Sequence, residues 1–76
     1  MKLSEAKERC ESGYFSHVEI RKNPGDISQN IAFMHSLDGK SFMLCDENDI
    51  VISSRELEHI VGILKDVGFK KAKLHF

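Results

Sequence analysis

Apolar and polar residues alternate with a period of two along four stretches of this chain and recur at helical spacing along two others. The first helical stretch runs from Ser4 to about Ser12. Ser4 is placed to cap it, Glu5 suits the positive first turn, and Gly13 follows as a stop. Leu3, Ala6 and Cys10 share one narrow apolar face, so this helix needs something to dock on. Residues 14–22 then alternate, with Tyr14, Val18 and Ile20 on one side and Phe15, His17, Glu19 and Arg21 on the other, which predicts a strand. Asn23-Pro24-Gly25-Asp26 carries Pro and Gly in the central positions of a type II turn, and the polar connection is expected to continue to about Gln29.

Two further alternating runs, 30–37 and 40–45, flank Asp38-Gly39. That dipeptide predicts a two-residue type I′ hairpin, and the loop length sets the register. Leu37 then faces Lys40, Ser36 faces Ser41, His35 faces Phe42, Met34 faces Met43, Phe33 faces Leu44 and Ala32 faces Cys45. One face collects Ile31, Phe33, His35, Leu37, Phe42 and Leu44, the expected core side. The other collects Ala32, Met34, Ser36, Ser41, Met43 and Cys45, without a single charge.

An acidic turn, Asp46 to Asp49, leads into the short apolar piece Ile50-Val51-Ile52. Ser53 and Glu56 have capping-box spacing, and Leu57, Ile60, Val61, Leu64 and Val67 form a helical stripe that Gly68 should end. Gly62 sits inside that helix, where glycine costs about 1 kcal/mol relative to alanine, so a close approach of helix to sheet is the expected compensation. From Phe69 to Phe76 the chain alternates again, with Ala72, Leu74 and Phe76 inward and Lys71, Lys73 and His75 outward.

The pattern predicts an α+β fold in the order α-β-β-β-α-β, a small and mostly antiparallel four-stranded sheet with a long helix packed on one face and a short N-terminal helix. The third strand, long helix and last strand would form a right-handed crossover. The last strand can lie beside the third or beside the first. With 76 residues the chain is expected to be one domain, 1–76, with a thin core.

Net charge is −1 with neutral histidines, which gives no global pull towards nucleic acid or membrane. Residues 51–76 nevertheless hold five basic and three acidic residues. The apolar runs fall short of the roughly 20 residues a spanning helix needs. The N-terminal segment has no signal-peptide pattern and the two cysteines are too few for a disulfide framework, so a cytoplasmic protein with free thiols is expected.

Candidate chemistry is sparse. The ligand-type residues His17, His35, His59, His75, Cys10 and Cys45 lie no closer than seven residues apart, unlike the short paired spacings of zinc sites. Asp46, Glu47 and Asp49 lack the EF-hand pattern and read as a solvated turn. Cys45 and His17 have no recognisable third group with which to build a nucleophilic site. No catalytic residues, metal site or cofactor are therefore expected, and the chain reads as a non-enzyme.

The uncharged hairpin face remains. Ala32, Met34, Ser36, Ser41, Met43 and Cys45, extended by Phe15, look covered, either by the N-terminal helix through Leu3, Ala6 and Cys10 or by another protein or a second copy. This favours a small protein-interaction or accessory module, working as a homodimer or with a different partner. The alternative from another class is nucleic-acid binding through Arg55, Lys70, Lys71 and Lys73. In its sequence of hairpin, acidic turn, capped helix ending in Gly68-Phe69 and final strand, the chain resembles small bacterial accessory proteins. That likeness is architectural and implies no activity.

Overall fold

The computed structural model describes residues 1–74; His75 and Phe76, with the inward and outward positions expected of them, lie outside the described residues. The elements are α1 (Leu3–Glu11), β1 (Phe15–Asn23), β2 (Asp26–Ser36), β3 (Ser41–Met43), α2 (Leu57–Val67) and β4 (Lys73–Leu74). They form an α+β fold with a mixed sheet in the order β3-β2-β1-β4. The β1–β2 and β2–β3 pairs are antiparallel, whereas β4 runs parallel to β1. Of the two places open to the last strand, the fold uses the one beside the first. The alternation from Phe69 to Phe76 yields among the described residues only the short strand Lys73–Leu74, with Leu74 in register with the core residue Ile20 but 42% exposed.

The buried core lies on one side of this sheet. Val18 and Ile20 of β1, Ala32 and Met34 of β2, and Leu44 join Ala6 of α1 and Ile60, Leu64 and Val67 of α2. Both helices thus set their apolar stripes against the same face, which is why the narrow stripe of α1 suffices. Among the described residues, no helix is long and apolar enough to cross a membrane.

The hairpin register differs from the expected one by a single residue. Phe33 pairs with Met43, Met34 with Phe42 and His35 with Ser41. The cause is the turn. Gly39 has φ 86°, but Asp38 does not enter the positive-φ region that a type I′ turn requires at both centres. Ser36 N–H donates to Lys40 O at 2.8 Å and Gly39 N–H to Ser36 O at 3.2 Å, so the loop is Leu37-Asp38-Gly39, three residues long. A three-residue loop with glycine in its last position shifts the register by one, and a shift of one exchanges which side chains share a face. Ala32, Met34 and Ser36 therefore join Phe42 and Leu44 on the helix side. Phe33 and His35 join Ser41 and Met43 opposite, and Leu37, expected in the core, is 71% exposed. Ile31 is buried as expected, although it stands outside the helix-side cluster.

Several local expectations are also corrected. The connection after β1 is short, because Asn23 pairs directly with Asp26 and the irregularity falls within β2 instead. Ser4 does not cap α1. The helix begins at Leu3, and the Glu47 carboxylate accepts from Ser4 N–H at 2.9 Å and from Ser4 Oγ at 3.0 Å. The Ser53–Glu56 capping box does not form: Glu56 precedes the helix with extended backbone, and its N–H donates to Ser54 Oγ. Gly62 approaches nothing, since a Cβ there would meet no atom within 4 Å. Gly68 does stop α2, with Phe69 N–H bonding to Leu64 O and Gly68 N–H to Lys65 O in a Schellman arrangement.

Candidate metal centre

On the sheet face opposite the helices, alternation along β1 brings His17, Glu19 and Arg21 to one side. Pairing with β2 sets His17 opposite His35 and Glu19 opposite Phe33, so His35 is the diagonal neighbour of Glu19. One ligand-type atom from each of His17, Glu19 and His35 falls within 4.8 Å of the others. His35 Nε2 lies 2.8 Å and His17 Nε2 3.5 Å from Glu19 Oε1. The two imidazoles stack at 4.4 Å between centroids with 17° between their planes. Glu19 is only 7% exposed, a burial that a carboxylate tolerates only with compensating partners. One of these is Arg21, whose guanidinium reaches Glu19 Oε2 through Nη2 at 2.9 Å and Nε at 3.2 Å.

The outer nitrogen of each ring is anchored. His17 Nδ1 is 2.8 Å from Ser16 Oγ, and His35 Nδ1 is 2.9 Å from Ser41 Oγ. Ser16 spends its single hydroxyl proton on His35 O at 3.1 Å. If that proton stays on His35 O, Ser16 Oγ accepts from His17 Nδ1–H, the tautomer in which Nε2 carries the lone pair on the Glu19 side. His35 Nε2 is close to Glu19 Oε1 but not aligned for a hydrogen bond. It is buried, with no hydrogen-bond partner among the described residues. Two ring nitrogens and a carboxylate oxygen thus lie within 4.8 Å of one another, a grouping that a cation would hold together. Zinc bonded at about 2.0–2.1 Å spaces tetrahedral donors by roughly 3.3 Å, so small ring movements fit these residues to an ion.

The expectation that ligand spacing argues against a metal site counted distance along the chain. The fold supplies the ligands as a His-x-Glu pair on one strand and a histidine across the ladder. The residues named for an uncharged interface are dispersed by the register. Ala32 and Met34 are in the core at 1% and 0% exposure, and Ser36 and Cys45 are buried. Phe15 packs against that core, while Ser41 and Met43 lie on the opposite face. The apolar hairpin face is thus covered from within, by α2 as well as α1. Arg55, Lys70, Lys71 and Lys73 are exposed, but Arg55 precedes α2 and the lysines follow it, a separation of about 16 Å along an 11-residue helix.

Comparison with protein-family models, curated proteins and solved structures finds no match for this chain.

Proposed function

We propose that this protein is a small, non-enzymatic accessory module that binds a divalent transition-metal ion through His17, Glu19 and His35. The observation that carries this reading is the facing of acceptors. His35 Nε2, buried and without a hydrogen-bond partner among the described residues, lies 2.8 Å from Glu19 Oε1, and His17 Nε2 lies 3.5 Å from the same oxygen. Two imidazoles and one carboxylate suit borderline ions such as zinc, cobalt or nickel better than calcium or magnesium, which favour all-oxygen shells. The serine anchors on both Nδ1 atoms are the outer support that orients metal-binding histidines. Both cysteines are free thiols, in keeping with a reducing, cytoplasmic setting.

Calorimetric titration of the metal-free protein with zinc, and visible spectroscopy with cobalt, test this. One ion per chain is expected, with binding lost in His17→Ala and in His35→Ala. A proton on a ring nitrogen would also relieve the facing acceptors, and the titration separates the two cases. Absence of uptake, or uptake indifferent to both substitutions, would sink the metal reading.

A further inference from the structure

The charge around the three ligands is lopsided. Arg21 holds Glu19 Oε2 from one side. On the other, β4 places Lys73 in register with Glu19, and in-register residues of neighbouring strands project to the same face. Lys73 is exposed, and Arg21 is 44% exposed at its side chain, held over the Phe33 ring at 5.4 Å. Across this part of the face the order is therefore Lys73, Glu19, Phe33 and Met43, with His17 and His35 in the adjacent row and Arg21 beyond Glu19. Among the described residues Glu19 is the single carboxylate in this array. In the metal-free protein Arg21 and the carboxylate offset one another. A divalent ion adds two positive charges to a site whose one carboxylate among the described residues is already shared with a guanidinium.

Three protein donors also leave a zinc-type ion at least one position short of its shell. That position lies on the side of His17 and Arg21, whose side chains are 38% and 44% exposed, rather than on the side of the buried Glu19. A ligand completing the shell would lie beside Arg21 and Lys73, two donors that favour multi-oxygen anions. A monodentate, singly charged carboxylate would offset less of the positive charge than a phosphate group, which supplies about two negative charges and separate oxygens for the metal, the guanidinium and the ammonium.

We infer that the metal-loaded protein binds a phosphate group on its open sheet face, with one oxygen on the ion held by His17, Glu19 and His35 and the others on Arg21 and Lys73. This inference rests on the metal-binding reading above. Inorganic phosphate and a phosphate monoester present the same chemistry, and the apolar Phe33 and Met43 in the adjoining columns give the organic part of a monoester a surface to lie on.

The test begins with cobalt alone, followed by inorganic phosphate, adenosine monophosphate and acetate added separately to cobalt-loaded and metal-free protein. The expected result is a saturable change in the cobalt visible spectrum with either phosphate. Affinity should be at least tenfold above that for acetate and at least tenfold above that of the metal-free protein. Arg21→Gln and Lys73→Gln should each weaken phosphate several-fold while cobalt still binds. Tighter binding of the monoester than of the inorganic ion identifies a monoester as the ligand source, and equal or weaker binding identifies free phosphate; both outcomes support the site. Failure of cobalt to bind removes the metal reading and this inference together. Cobalt uptake followed by acetate binding as tight as phosphate, or by phosphate binding that neither the metal nor the two cations affect, overturns this inference alone. Circular dichroism of each variant confirms that the fold is retained.

Discussion

His35 Nε2 lies 2.8 Å from Glu19 Oε1 across the β1–β2 ladder, on a diagonal rather than directly opposite. The diagonal follows from the pairing of His17 with His35, which stacks the two rings and turns both towards one carboxylate. Ser16 and Ser41 hold the rings from behind. Replacing either serine with alanine removes an orienting hydrogen bond without removing a ligand. Metal affinity should fall about 10- to 100-fold in Ser16→Ala and in Ser41→Ala, with stoichiometry unchanged, as measured by competition with a chromophoric chelator.

Gly62 lies exposed within α2 and has open space around its missing side chain. Nothing in the packing requires a glycine there, so only its helix-weakening cost remains. Gly62→Ala should stabilise the protein by about 1 kcal/mol, read as a higher midpoint in urea unfolding at constant slope.

Gly68 is the opposite case. Its φ of 123° is a backbone region that side-chain-bearing residues seldom occupy, and a Cβ would come 3.2 Å from Cys10 Sγ. Gly68→Ala should destabilise by at least about 1 kcal/mol. Adding Cys10→Ala should not rescue it, because the close contact would be relieved while the backbone strain persisted. Thermal unfolding of the single and double variants checks this.

Glu47 closes α1 from a distant turn, accepting from both the N–H and the hydroxyl of Ser4. Glu47→Ala should cost about 1 kcal/mol, typical of a lost helix cap, and should raise amide exchange first in the initial turn of α1. Unchanged exchange in that turn would show that the carboxylate contributes no capping.

Asp38 accepts a hydrogen bond from the Ser36 hydroxyl in the hairpin loop, and this holds its carboxyl below the ordinary carboxylate pKa, with Lys40 adding a smaller favourable charge. A folded pKa below the unfolded one gives stability that is fully present above the unfolded value of about 3.9. It is lost as pH falls through the depressed folded value. Asp38→Asn should therefore be less stable than the natural protein near pH 6, and the difference should close on acidification below about pH 3.9. Urea midpoints measured across that range provide the check.

Local pattern was enough to find most of the elements, although β2 begins at Asp26 rather than after Gln29 and the last strand is confined to Lys73–Leu74 among the described residues. The apolar spacing of Leu57, Ile60, Leu64 and Val67 required an amphipathic helix, and Gly68 required its end. Alternation at Val18 and Ile20 required a strand with one buried side, and the run after Asn30 required another. These features depend on neighbours a few residues apart, so the sequence determined them by itself. Even the grouping of His17, Glu19 and Arg21 on one side of a strand was legible. The partner across the ladder was not.

Tertiary structure decided the register. Asp38-Gly39 fits either a two-residue loop or the last two positions of a three-residue loop, and local propensity does not separate them strongly. The three-residue loop gathers Ala32, Met34, Phe42 and Leu44 with Val18 and Ile20 beneath two helices, so burial summed over many residues favours it over the local turn preference. The same step moves His35 to the outer face, where an irregular β1–β2 connection aligns it with His17. Glu47 reaches Ser4 because the turn carrying it packs beside a helix 43 residues away in sequence. Each of these contacts joins distant parts of the chain, and its energy exists only once the whole core has formed.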